Sequence, residues 1–133
     1  MALQFLKPSL EVGFVTDNID KMLPFYRDLL ALPFIEHLQY PGGQQYRFAC
    51  GDSVVKLVIP EPVPTVKAPA GGMGGATGIR YISFGAANLR ELVAQVRAAG
   101  LAVPVDITPF NPTLGFAFIT DPDGNWIEVF GPI

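Results

Sequence analysis

In LEVGFVT, residues 10–16, apolar side chains alternate with small or charged ones at the period of a β-strand. From residue 17 the spacing lengthens. Ile19, Met22, Leu23, Tyr26, Leu29 and Leu30 fall on one face of a helix, and Asp17 or Asn18 stands before it as an N-cap, which predicts a helix over 18–30. Pro24 lies about a turn and a half past that cap, so a local kink or a late helix start is expected rather than a break. ALPFIEHLQY, the turn PGG, QQYRFACGD and SVVKLVIP follow as three strands. The last of these carries a lysine, Lys56, inside a run otherwise suited to a sheet core. A lysine there must be neutralised, paired, or aimed at something that needs it.

The same order then recurs. IRYISFG reads as a strand, and Asn88 caps a helix over 88–99 that carries Leu89, Leu92, Val93, Val96 and Ala99 and stops at Gly100. LAVPVDIT, GFAFIT and NWIEVF follow as strands. Glu11 superposes on Tyr81, Gly13 on Ser83, Phe14 on Phe84 and Asn18 on Asn88 at an offset of 70. Val54 superposes on Trp126, Lys56 on Glu128, Val58 on Phe130 and Pro60 on Pro132 at an offset of 72, so one small indel separates the two registers. The chain is therefore two copies of a βαβββ unit, about 8–60 and 78–132, within what its length makes most simply one domain. One copy alone leaves a sheet face uncovered, which pairing two copies would bury. Between them, residues 61–77 are rich in Pro and Gly and read as a linker or mobile loop rather than packed structure.

In each copy the first and last strands carry one polar residue among apolar ones, and the internal symmetry relates all four: Glu11, Lys56, Tyr81 and Glu128. They are the candidate catalytic residues, expected to converge on one cavity. Period-two alternation puts Gly13, Val54, Val58, Ser83, Trp126 and Phe130 on the same strand faces as candidate substrate contacts. Arg47, in phase with Gln45, either reaches the cavity mouth to hold a substrate carboxylate or faces solvent.

Composition narrows the chemistry. No apolar run approaches the ~20 residues of a membrane span, and the N-terminus lacks the features of a secretory signal. The single cysteine, Cys50, permits no internal disulfide, which suits a cytoplasmic location. A net charge of −3 without a basic cluster argues against nucleic-acid partners and leaves small molecules or other proteins. One histidine, His37, and one cysteine exclude a His or Cys metal cluster and argue against a Ser-His-Asp arrangement. Carboxylates, lysine, arginine and tyrosine are left to do any chemistry.

VTDNIDKMLPFYRDLLAL, RYISFGAANL and above all FITDPDGNWIEVFGP resemble the vicinal oxygen chelate superfamily of glyoxalase I, bleomycin resistance proteins and extradiol dioxygenases, over nearly the whole chain. The resemblance implies an α+β fold of paired βαβββ modules forming a cavity-containing, eight-stranded glyoxalase-like sheet, and assembly as a homodimer. In the family's metalloenzymes it also implies a divalent ion held from each module's first and last strands, which here are Glu11, Lys56, Tyr81 and Glu128. The pattern departs from those enzymes, which use His, Glu or Gln. An ammonium has no lone pair and repels a cation, and a neutral tyrosine is a poor ligand, so no metal or other cofactor is expected.

Lys56 then has two readings: a counter-ion to Glu128 or Glu11, or the group that stabilises an enolate-like oxyanion where relatives use a metal. Two glutamates against one lysine leave a surplus negative charge that should raise one carboxylate's pKa unless Arg47 or Arg80 joins. Tyr81 is either a phenol capping the network or an auxiliary acid. The expected function is metal-independent proton transfer on a small apolar or aromatic carbonyl compound, of isomerase, epimerase or lyase type, with Glu128 or Glu11 as base. The alternatives are a non-catalytic binding protein of bleomycin-resistance type and a metal-dependent lyase or dioxygenase.

Overall fold

β1 (Glu11–Val15) runs parallel to β4 (Ser53–Pro60), which pairs antiparallel with β3 (Gly43–Cys50), itself paired with β2 (Phe34–Tyr40). The order β1-β4-β3-β2 follows from the crossover through a helix, which returns the last strand beside the first. The computed structural model describes all 133 residues. They divide into two compact units, Met1–Thr65 and Val66–Ile133, here called modules one and two.

The module-one helix shows what Pro24 does. α1 spans Ile19–Pro24 and continues as a π turn over Phe25–Leu29. Proline has no N–H and its ring crowds the carbonyl one turn back. Beyond it the bonding therefore shifts to a five-residue step, with Leu30 N donating to Phe25 O at 2.9 Å. In place of the expected kink or late start, the helix begins at Ile19 and changes its winding after Pro24. Met22 and Tyr26 on the helix and Phe48, Val55 and Leu57 on the sheet are buried and form this module's core.

Module two repeats the plan with β5 (Tyr81–Gly85), α2 (Leu89–Ala98), β6 (Val105–Pro109), β7 (Leu114–Thr120) and β8 (Trp126–Pro132), in the order β5-β8-β7-β6. Leu89, Val93 and Val96 on α2 and Ala117, Ile119, Ile127 and Val129 on the sheet are buried. β6 is shorter than the pattern LAVPVDIT suggests. Pro104 cannot donate to a ladder, and the strand starts only after it. The registers bear out the repeat: Glu11 pairs with Val54 and Gly13 with Lys56, as Tyr81 pairs with Trp126 and Ser83 with Glu128. The fold is α+β, two four-stranded βαβββ sheets.

Asn18 and Asn88 both occupy N-cap positions, but neither side chain makes a capping hydrogen bond. Their carbonyls start the helices instead, accepting from Met22 N at 2.9 Å and Leu92 N at 3.0 Å. The DPDG segment is a turn before β8, organised by buried Asp121. Its Oδ1 accepts from Asp123 N and Asn125 N, each at 3.0 Å, and its Oδ2 from Asn125 Nδ2 at 2.8 Å. No helix is long and apolar enough to cross a membrane.

Candidate functional site

On module one, strand alternation sends Val55 and Leu57 to the helix side and Lys56 to the opposite, open face. Lys56 Nζ lies 2.9 Å from Glu11 Oε1. Arg47, directly across from Lys56 on β3, donates from Nη1 to the same oxygen at 3.2 Å and to Gln45 Oε1 at 3.4 Å. Its Nε lies 3.3 Å from Glu36 Oε2, its register partner on β2. That atom is buried and out of line for a hydrogen bond, so the contact with Glu36 is electrostatic only. A row of four charged side chains, with the cations Lys56 and Arg47 side by side between the carboxylates of Glu11 and Glu36, thus crosses the whole sheet.

This row changes the charge balance expected from the sequence. Arg47 joins the cluster, and so does Glu36, which the sequence reading passed over. Two cations then face two carboxylates. No surplus negative charge raises Glu11. The hydrogen bond from Lys56 holds its carboxyl below the usual range against the opposing effect of burial, with the charges of Lys56 and Arg47 adding to the lowering. Counting outward from the Pro41-Gly42 hairpin loop pairs Glu36 with Arg47, so the signal was present in the sequence. Gly13 lies beside Lys56 in the register, where a methyl group in its place would meet Val58 Cγ2 at 3.6 Å, and Val54 is buried beside Glu11.

On module two the equivalent face is aromatic. Phe118 sits opposite Glu128, where module one has Arg47 opposite Lys56. The Tyr81 ring meets Phe118 edge-on at 5.1 Å, Trp126 meets it at 5.3 Å and Phe116 at 6.2 Å. The Phe130 ring lies over Gly85 and is 42% exposed. Amid these rings the Ser83 hydroxyl donates to Glu128 Oε1 at 2.7 Å. Arg80 does not join the acidic residues: its Nε donates to Gly72 O and its Nη2 to Pro69 O, each at 2.7 Å. Those acceptors lie in the segment expected to be unpacked, yet Gly72 is buried against the Trp126 indole. Glycines with positive φ at 71 and 72 let the backbone approach so closely. His37 is on β2, stacked on Tyr46 at 4.0 Å and bonded to Gln44, and Cys50 is exposed beside a turn.

The structure therefore gathers Glu11, Lys56 and Arg47 on one module, and Tyr81, Ser83, Trp126, Glu128 and Phe130 on the other. Residues 10–129 match the family model of the Glyoxalase/Bleomycin resistance protein/Dioxygenase superfamily, and the chain belongs to that superfamily. No curated protein matches it. Among solved structures, a glyoxalase family protein from Bacillus cereus is similar with a TM-score of 0.84 and 14% identity, over 98% of this chain and 97% of that one. Lactoylglutathione lyase from Agrobacterium tumefaciens shares 26% identity with a TM-score of 0.63, over 92% and 91%. The trypanothione-dependent glyoxalase I of Leishmania major shares 22% with a TM-score of 0.70, over 91% and 84%.

The metal implied by part of this superfamily does not suit the side chains present. In module one the two ligand positions hold a carboxylate and an ammonium bonded to each other, so a cation there would face the Lys56 ammonium, and Glu11 Oε1 already accepts from Lys56 and Arg47. In module two they hold a phenol packed against Phe118 and a carboxylate bonded to Ser83.

Proposed function

We propose that this chain is a metal-independent member of its superfamily that catalyses proton transfer at carbon on a small aromatic or apolar carbonyl compound. The observation that carries this reading is the Lys56 ammonium bonded to Glu11 on the strand positions where metal-dependent relatives hold their ion. A fixed cation serves the same electrostatic end as a metal, offsetting negative charge as it develops on a carbonyl oxygen. Glu128 is the better base. Glu11 is engaged by two cations and held in its weakly basic form, whereas Glu128 keeps a neutral hydroxyl as its partner on module two. Tyr81 takes the part of auxiliary acid. Ser83 orients Glu128, Phe130 gives an aromatic substrate a surface to stack on, and Trp126, backed by Phe118, closes one end of that surface. Gly13, Val54, Val58 and Arg47 line the module-one face of the same reading. Assembly as a homodimer belongs to it as well.

The test is deuterium exchange at the α-carbon of aromatic methyl ketones in heavy water, followed by NMR. Wild-type protein should accelerate exchange, and Glu128→Gln should lower the rate by about 10²–10⁴-fold, the usual share of a general base. The aromatic surface also favours a second reading, a binding protein that sequesters such compounds. In that case the ketones bind, and exchange stays at the buffer rate with either protein.

A further inference from the structure

The segment Pro69–Gly75 is a strap seated on one end of the module-two aromatic face. Its short 3-10 turn, Gly72–Gly74, presses the Gly72 backbone against the Trp126 indole so closely that a methyl group at Gly72 would overlap the ring. A methyl at Gly75 would overlap the Ala70 carbonyl, so the turn has little freedom to widen. Arg80 fixes it from beneath with two hydrogen bonds of 2.7 Å, to the carbonyls of Gly72 and Pro69. Two charge-assisted bonds from one planar guanidinium set both position and orientation.

Along β8 the open face reads Trp126, Glu128, Phe130. The strap covers the Trp126 end and leaves the Phe130 end, with its half-exposed ring, uncovered. Trp126 is held between the strap and the ring of Phe118, 5.3 Å away. We propose that this strap is the end wall of the ligand surface around Glu128, and that Arg80 is a positioning residue which, by latching it, limits how long an aromatic ligand the face accepts. The proposal rests on the aromatic-carbonyl reading above and adds the size limit of the substrate. With the latch gone, the wall withdraws from Trp126, and a ligand one ring longer stacks on the indole in its place.

Trp126 is the only tryptophan in the chain, so its fluorescence reports on the strap directly. Arg80→Met, which removes both bonds, and Gly72→Ala, which collides with the indole, act on the strap by different routes. Both should shift the emission to the red and raise acrylamide quenching, and Arg80→Lys, which keeps one bond, should fall between Arg80→Met and wild type. Equilibrium dialysis with acetophenone, 2-acetonaphthone and 2-acetylanthracene then reads the wall. In both loosened variants the affinity for the three-ring ketone should rise about tenfold relative to the one-ring ketone, the gain from one more buried ring. Unchanged quenching in both variants overturns the latch. Raised quenching with an unchanged three-ring to one-ring ratio overturns the wall. Failure of every ketone to bind wild type and variants alike removes the aromatic-ligand reading and the wall with it, while the quenching result still decides the latch on its own.

Discussion

Lys56 Nζ and Glu11 Oε1 are 2.9 Å apart across β4 and β1, with Arg47 on the same oxygen. Replacing Lys56 with Met removes the largest cause of Glu11's lowered pKa and leaves Arg47 as its remaining cation. A carboxyl whose folded pKa lies below its unfolded value of about 4.5 stabilises the fold above that pH, and the contribution disappears as pH falls through the folded value. Lys56→Met should therefore destabilise most at neutral pH and progressively less as pH falls below ~4.5 through Glu11's lowered folded value, beneath which the carboxyl is protonated in both proteins. Urea unfolding at pH 7 and in acid checks this, with exposed Lys21→Met as a control that should be close to neutral at both. An equal loss at every pH would mean that the lysine contributes by packing alone.

Asp121 should matter to stability rather than to chemistry. Its buried carboxylate accepts three hydrogen bonds from Asp123 and Asn125 and holds the turn into β8. Asp121→Ala strands these donors, and a cost of about 2–4 kcal/mol follows. Asp121→Asn, which keeps an acceptor oxygen, should cost clearly less. Denaturant midpoints measured side by side with wild type decide it.

Association is the next expectation. β2 is an edge strand, and Phe34, Ile35, Leu38 and Tyr40 along it are all exposed. An edge of this kind invites cover by a second chain. Light scattering at micromolar concentration should give the mass of a dimer, and Leu38→Lys should shift it toward the monomer. A monomer mass for the wild type would remove the homodimer from the proposed reading.

The repeat made most of the fold legible. Glu11 with Tyr81 and Lys56 with Glu128 were matched by counting, and the strand registers place them at the same points of each sheet. What counting missed came from places where backbone and long side chains meet. Glu36 was overlooked because its importance lies in a partner one strand away, Arg47, reached only through the hairpin register. The Gly-rich stretch around Gly72 looked unpacked because glycine serves equally for freedom and for close approach. Only the guanidinium of Arg80 and the indole of Trp126 distinguish the two. The pattern offers Asp17 or Asn18 as the first cap and Asn88 as the second, and Asn18 and Asn88 hold those positions, but a side chain's choice of hydrogen-bond partner is not set by composition.

Both helices end on a residue in the left-handed region, an alanine in one and a glycine in the other, which gives a prediction of opposite signs within one protein. α2 closes in a Schellman turn: Gly100 N donates to Arg97 O at 2.9 Å and Leu101 N to Val96 O at 3.1 Å, with Gly100 at φ 78°. The module-one helix, wound as a π turn at its end, closes one residue wider at Ala31, φ 54°, with Leu32 N donating to Tyr26 O at 3.0 Å. An L-residue with a Cβ in this left-handed region is strained by about 1–2 kcal/mol. Glycine relieves that strain and adds about 0.4–1 kcal/mol of backbone entropy to the unfolded chain, so the net effect is smaller than the strain itself. Ala31→Gly should stabilise by about 0.5–1 kcal/mol, and Gly100→Ala should destabilise by a similar amount. The latter has no steric component, since nothing lies within 4 Å of a methyl group built on Gly100. The sites lie on different modules, so the double variant should return close to wild-type stability. Thermal and urea unfolding of the four proteins tests the pair together. If Ala31→Gly is destabilising while Gly100→Ala behaves as expected, the Ala31 methyl makes contacts worth more than its strain.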